Sequence, residues 1–190
     1  FMYKKGAGIT QDYKQAAHWY TKAAKQGHLK AQKSLGDLFR EGEGVTQDYK
    51  QSAYWYTKAA EQGHISAQYN LGLMYNKGTG ITQNFKQSAY WYIKAAEQGD
   101  ESAQNNLGFM YDNGEGVTQD YKQAAYWYTK AAEQGHVIAQ YNLGLMYRCG
   151  EGVIQSKKKS YIWNEIAAMS GYDVAVNCRE SMAQKLSPSS

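Results

Sequence analysis

The sequence predicts an all-α protein, a solenoid of two-helix repeats 36 residues long. Three observations carry this. The five tryptophans, Trp19, Trp55, Trp91, Trp127 and Trp163, follow one another at a constant step of 36. The same step carries Gly27 to Gly63, Gly99, Gly135 and Gly171, and Leu35-Gly36 to Leu71-Gly72, Leu107-Gly108 and Leu143-Gly144. Between these markers the apolar residues fall at spacings of 3 and 4, the period of a helix face rather than of a strand. A repeat of this length lies in the range of stacked helix pairs, in which each unit buries its apolar face only against its neighbours.

Each unit contains two helices, A and B. Helix B opens on Asp48-Tyr-Lys-Gln51, a capping carboxylate three residues before a Gln, repeated as Asp12/Gln15, Asn84/Gln87 and Asp120/Gln123. Residues 49–62 then run without Pro or Gly. Tyr49, Ala53, Tyr56 and Ala60 form one stripe, and Ser52, Trp55 and Ala59 the adjoining one. Gly63 ends the helix as a left-handed cap. Helix A covers about 65–76, with Ala67, Leu71, Met74 and Tyr75 inward. Gly72 in its middle costs about 1 kcal/mol against Ala. Its recurrence in four units predicts close approach of a neighbouring group. The Gly-x-Gly pairs at 78/80 and equivalent positions break helix A and lead to the next B. The tryptophans and inward tyrosines are expected to form the core, because aromatic burial is large per residue.

The unit Ala-x-x-x-Leu-Gly-x-x-Tyr-x-x-Gly-x-Gly-Val/Ile, followed by Asp-Tyr-x-x-Ala-x-Trp-Tyr-x-Lys-Ala-Ala-Glu-Gln-Gly, resembles the Sel-one-like repeat (SLR) family, which is related to tetratricopeptide repeats. The match spans residues 1–172. The resemblance implies a right-handed α/α superhelix whose concave face is lined by A helices. It also implies an adaptor that binds other proteins, mostly in bacteria, and a periplasmic or secreted location more readily than a cytoplasmic one.

The ends depart from the pattern. Phe1-Met2-Tyr3 aligns with Leu73-Met74-Tyr75, so the array of residues 1–172 opens inside a truncated repeat. Lys157 replaces the helix-B tyrosine and Asn164 the second aromatic, while Arg179-Glu180 stand where Leu-Gly would be. A more polar last unit is what a solenoid needs where no neighbour follows. Residues 173–186 are read as a capping helix with Ala175, Cys178, Met182 and Leu186 inward, and residues 187–190 as a tail.

Composition narrows the function classes. The net charge of +4, from 21 basic and 17 acidic residues, is too mild to indicate nucleic acid. The mean hydropathy is −0.73, and no apolar run approaches the roughly 18 residues of a membrane-spanning helix. No cofactor or metal is expected. His28, His64 and His136 share one repeated position with Asp100, which suits a helix cap better than ligands of one metal. No nucleophile–base set is readable, so an enzyme is not expected. The Gly-x-Gly loops follow no strand and are connectors, not phosphate cradles. Cys149 and Cys178 align with positions about seven residues out of axial register on neighbouring helices, too far for a disulfide, and are expected to be free thiols.

Repeats that agree report packing, and repeats that disagree mark a surface free to specialise. Residues 46–64 and 118–136 differ only at Ser52 against Ala124. On helix A, one stripe holds Lys33, Ser34, Asp37 and Arg40, then Tyr69, Asn70, Leu73 and Asn76, then Asn105, Asn106, Phe109 and Asp112, then Tyr141, Asn142, Leu145 and Arg148. Aromatic and aliphatic residues among asparagines and charges suit a polypeptide-binding groove. Tyr69, Asn70, Leu73, Asn106, Phe109, Tyr141, Asn142, Leu145 and Arg148 are therefore the candidate partner contacts. A carboxamide both donates and accepts, and in related tetratricopeptide domains an Asn at the matching place holds the ligand backbone, a role that Asn70, Asn106 and Asn142 take by resemblance. Three rival readings follow from relatives and composition. They are an immunity protein that wraps a secreted bacterial toxin, a passive spacer, and a β-lactamase-like enzyme; the last is disfavoured because these repeats lack paired cysteines.

Overall fold

The computed structural model describes residues 12–176, and these form two compact units divided between Gln98 and Gly99. The first holds α1 (Tyr13–Lys25), α2 (Leu29–Glu41), α3 (Tyr49–Glu61), α4 (Ile65–Lys77) and α5 (Phe85–Glu97). The second holds α6 (Glu101–Asn113), α7 (Tyr121–Glu133), α8 (Val137–Cys149) and α9 (Lys157–Met169). A further helical stretch starts at 173, and no strand occurs among the described residues. Helix B of the repeat is α1, α3, α5, α7 and α9; helix A is α2, α4, α6 and α8. Each of the nine is 13 residues long and packs against its neighbour in sequence within its unit. The expected residues 1–11 and the capping positions Cys178, Met182 and Leu186 lie outside the described residues. Ala175 lies within them and is fully buried.

The caps are those the sequence indicates. The side chains of Asp12, Asp48, Asn84 and Asp120 accept from the backbone N–H three residues on, at 3.0–3.1 Å, satisfying a first-turn donor that would otherwise lack a partner. Gly63 lies just past α3 at φ +88°, where its N–H and that of His64 return to the carbonyls of Ala60 and Ala59.

The core of each unit is a tyrosine set on a glycine. Tyr56 is fully buried and Tyr92 is 1% exposed. Cβ atoms at Gly36 and Gly72 would stand 2.7 Å from the rings of Tyr56 and Tyr92, so only a bare backbone admits them. Gly108 and Tyr128 repeat the arrangement in the second unit. The expected close approach at the mid-helix glycine is thus an approach of the next helix B. At Gly144 the facing residue is Asn164, fully buried, whose Nδ2 donates to Ser160 O at 2.8 Å.

The tryptophans sit one position away and are less deeply placed than the sequence suggests. Trp55 is buried, Trp91, Trp127 and Trp163 are half-buried, and Trp19 is 53% exposed. The reason is geometric. The Tyr lies over the preceding helix A, whereas the Trp lies on the flank and touches the preceding repeat: Trp55 packs with Ala24, Ala31 and Leu35, and Trp91 with the cluster of Ala53, Tyr56 and Leu71. Tyr49, expected inward, is 40% exposed at the head of α3.

A polar ladder ties the repeats of a unit together. Gln32 Nε2 donates to Ala24 O at 3.2 Å, and its Oε1 accepts from Gln62 Nε2 at 2.6 Å. Gln68 repeats this with Ala60 O and Gln98, at 3.1 and 2.7 Å. Each buried carboxamide thereby has both its donor and its acceptor engaged, which removes the desolvation cost of an orphaned amide.

Candidate functional site

The variable stripe of helix A is partly built into a polar network in the first unit. Asp37, at the position held elsewhere by Leu or Phe, is 6% exposed rather than outward. It accepts the Tyr56 hydroxyl at 2.8 Å and pairs with Lys33 at 2.8 Å. Burial, with the Asp37 carboxylate beside it, pushes the Tyr56 phenol far up, so it acts as a donor at all working pH. Arg40 reaches across to α4, donating to Asn70 Oδ1 at 3.4 Å, and also pairs with Glu41 at 2.8 Å. Tyr69 lies 5.9 Å, centroid to centroid, from the Tyr92 ring. Tyr69, Asn70 and Leu73 are each half-buried.

In the second unit the stripe is more apolar and carries an amide relay. Phe109 is 48% exposed, the most open apolar ring of any A helix among the described residues. Asn105 is buried, not outward; its Nδ2 donates to Asn106 Oδ1 at 3.3 Å, and its Oδ1 accepts from Asn142 Nδ2 at 3.5 Å. Asn105 thus positions Asn106 on α6 and Asn142 on α8. Tyr141 and Leu145 are half-buried and Arg148 is exposed. The Tyr141 ring stands edge-on to Tyr172 at 5.3 Å. Burial, reinforced by Glu151, raises the Asp112 carboxyl above its usual range.

Of the candidate contacts, Asn106, Phe109, Tyr141, Asn142, Leu145 and Arg148 belong to this second unit, and Tyr69, Asn70 and Leu73 to the first. Leu73 and Leu145, expected exposed, are half-covered by their surroundings. The Asp37–Tyr56 pair and the Asn105 relay are not legible from one repeat. Their only sequence signal is that residues at matched places change together in kind, Leu73 to Asp37 and Tyr141 to Asn105.

The shared histidine position caps helix A. His136 Nδ1 accepts from Ala139 N–H at 3.2 Å, as Asp100 does from Ala103 N–H at 2.8 Å. His28 and His64 make no such bond. Burial lowers the His64 and His136 pKa values, at His64 with Lys33 adding to it. Both therefore favour the neutral ring, and this stabilisation is present above the unfolded value near 6.5 and is lost as pH falls below it. Among the described residues no group of three or more His, Cys, Asp or Glu is placed to hold a metal ion, and no helix is long and apolar enough to cross a membrane. Cys149 is an exposed free thiol; Cys178 lies outside the described residues.

Comparison with known proteins agrees with this architecture. The Sel1 repeat family model matches residues 1–28, 29–64, 65–100, 101–136 and 137–172. No curated protein matches the chain. Among solved structures, a protective antigen of uropathogenic Escherichia coli strains that displays an SLR fold is 42% identical, with a TM-score of 0.91 over 95% of this chain. This chain spans 39% of that protein. A Sel1 repeat protein from Oxalobacter formigenes is 35% identical, with a TM-score of 0.84 over 94% of this chain and 71% of its own length. An immunity protein from Pseudomonas aeruginosa is 27% identical, with a TM-score of 0.51 over 84% of this chain and 58% of its own.

Proposed function

The chain belongs to the Sel1 repeat family of helical interaction scaffolds, and we propose that it binds an extended polypeptide along the outward faces of its A helices. The observation that carries this is the contrast between the two helices of the repeat. Helix B is nearly identical in α1, α3, α5 and α7, while the helix-A stripe changes and leaves Phe109 48% exposed beside positioned amides. With Asn105 engaging one end of each, Asn106 keeps its Nδ2 and Asn142 its Oδ1 for a ligand, a donor and an acceptor suited to a peptide N–H and C=O. Phe109 supplies the apolar anchor.

The test begins with peptides selected by display on the immobilised protein. Phe109→Ala should weaken the selected peptides at least tenfold, about 1.4 kcal/mol, with an unchanged helical signal and melting temperature. Peptides that bind the variant as tightly as the parent would remove Phe109 from the interface.

A second reading has one observation in its favour, the likeness to the Pseudomonas aeruginosa immunity protein. It places the same face against a folded toxin domain. That reading requires a purified toxin domain to bind tightly where extended peptides do not.

A further inference from the structure

Helix B carries an exposed feature that stacking does not use. Tyr54 and Tyr90 are 51% and 49% exposed, although identical in kind and place. Each stands edge-on to the following tryptophan at 4.9 Å, and a lysine amine, Lys58 or Lys94, lies 5.8 Å from the ring centre. In the first unit the Tyr90–Trp91 edge forms one wall of a cleft of about 340 Å³. Its other side is the end of α3, with Glu61 and Gly63, together with the already engaged Gln68 of α4, and Lys94 closes it.

We infer that this cleft is a carbohydrate site taking an uncharged, hydroxyl-rich glycan. The argument is chemical. The cleft pairs an aromatic wall with one group that only accepts, Glu61, and one that only donates, Lys94. A sugar matches all three: its C–H face lies on an aromatic wall, and its hydroxyls both donate and accept. The Glu61 carboxylate, whose Oε2 pairs with Lys58 Nζ at 3.9 Å and whose Oε1 is left for a hydroxyl, sets a negative charge on the cleft wall that disfavours a polyanion. Gly63 at the rim leaves room that a side chain would take, with nothing within 4 Å of a Cβ built there. The site lies on helix B and is independent of the peptide-binding reading.

Native gel electrophoresis of the whole protein through hydroxyethylcellulose, glucomannan or glycogen tests this, with alginate and vesicles of phosphatidylcholine with phosphatidylserine as contrasts. At least one neutral polysaccharide should retard the protein, in high salt as in low. Tyr90→Ala and Glu61→Gln should each raise the dissociation constant about tenfold. Tyr90→Phe and Phe109→Ala should leave it unchanged. The Glu61 variant keeps the test valid if Tyr90→Ala alters the fold. Four results would overturn the site: no retardation by any neutral polysaccharide, salt-sensitive retardation by alginate alone, binding only to the vesicles, or retardation unaffected by both the Tyr90→Ala and Glu61→Gln changes.

Discussion

Replacing Tyr92 by alanine should destabilise the protein by about 3–5 kcal/mol, the range for truncating a large buried aromatic. The ring is 1% exposed and is set directly over Gly72, whose missing side chain leaves a slot that alanine at 92 cannot fill. The lost ring removes both its transfer free energy and its contacts with the lining of that slot. In an array held by nearest-neighbour interfaces, a defect at the α4–α5 contact weakens the coupling between successive repeats. Urea denaturation measures the effect. Trp91→Ala is the internal comparison. That side chain is only half-buried on the flank, so its loss should cost about 1–2 kcal/mol. A Trp91 variant less stable than the Tyr92 variant would reverse the assignment of the core.

Gly72→Ala should be destabilising, by up to about 2 kcal/mol, although alanine is the better helix former. Propensity alone favours the change by about 1 kcal/mol. Against it, the new methyl would meet two atoms of the Tyr92 ring at 2.7 and 2.8 Å, and overpacking of this kind costs about 1–3 kcal/mol. The ring cannot swing clear without leaving its buried place. The sign should therefore reverse when the ring is absent: in the Tyr92→Ala background, Gly72→Ala should stabilise by about 0.5–1 kcal/mol. The double-mutant cycle isolates this coupling, and additive effects would show that the two residues do not confront one another.

How far the sequence reaches follows from what repetition reports. The period, both helices, the caps at Asp48 and Asp120 and the breaks at Gly78 and Gly150 are local signals, each set by one residue type at one place. Gly72 announces a close approach, but its partner is 20 residues away, and only the three-dimensional packing distinguishes Tyr92 from the neighbouring Trp91. The tryptophans are conspicuous because they are rare and regularly spaced, which says nothing of depth. On the helix-A stripe, periodicity places Phe109 outward correctly. It also places Asp37 and Asn105 outward, and they are buried because contacts from other helices reach them: the Tyr56 hydroxyl for Asp37 and the Asn142 amide for Asn105. Such cross-helix bonds have no signature within a single 36-residue unit.

Photo-crosslinking tests the division of labour between the two helices most directly. A benzoylphenylalanine placed at Arg148 on the helix-A stripe, and in a second protein at Tyr126 on helix B of the same unit, would be irradiated with a display-selected peptide; both positions are exposed, Tyr126 at 50%. The expected result is a peptide adduct from position 148 and none from position 126. Adducts from position 126 alone would contradict the account, placing the polypeptide on helix B and leaving the helix-A stripe without its role.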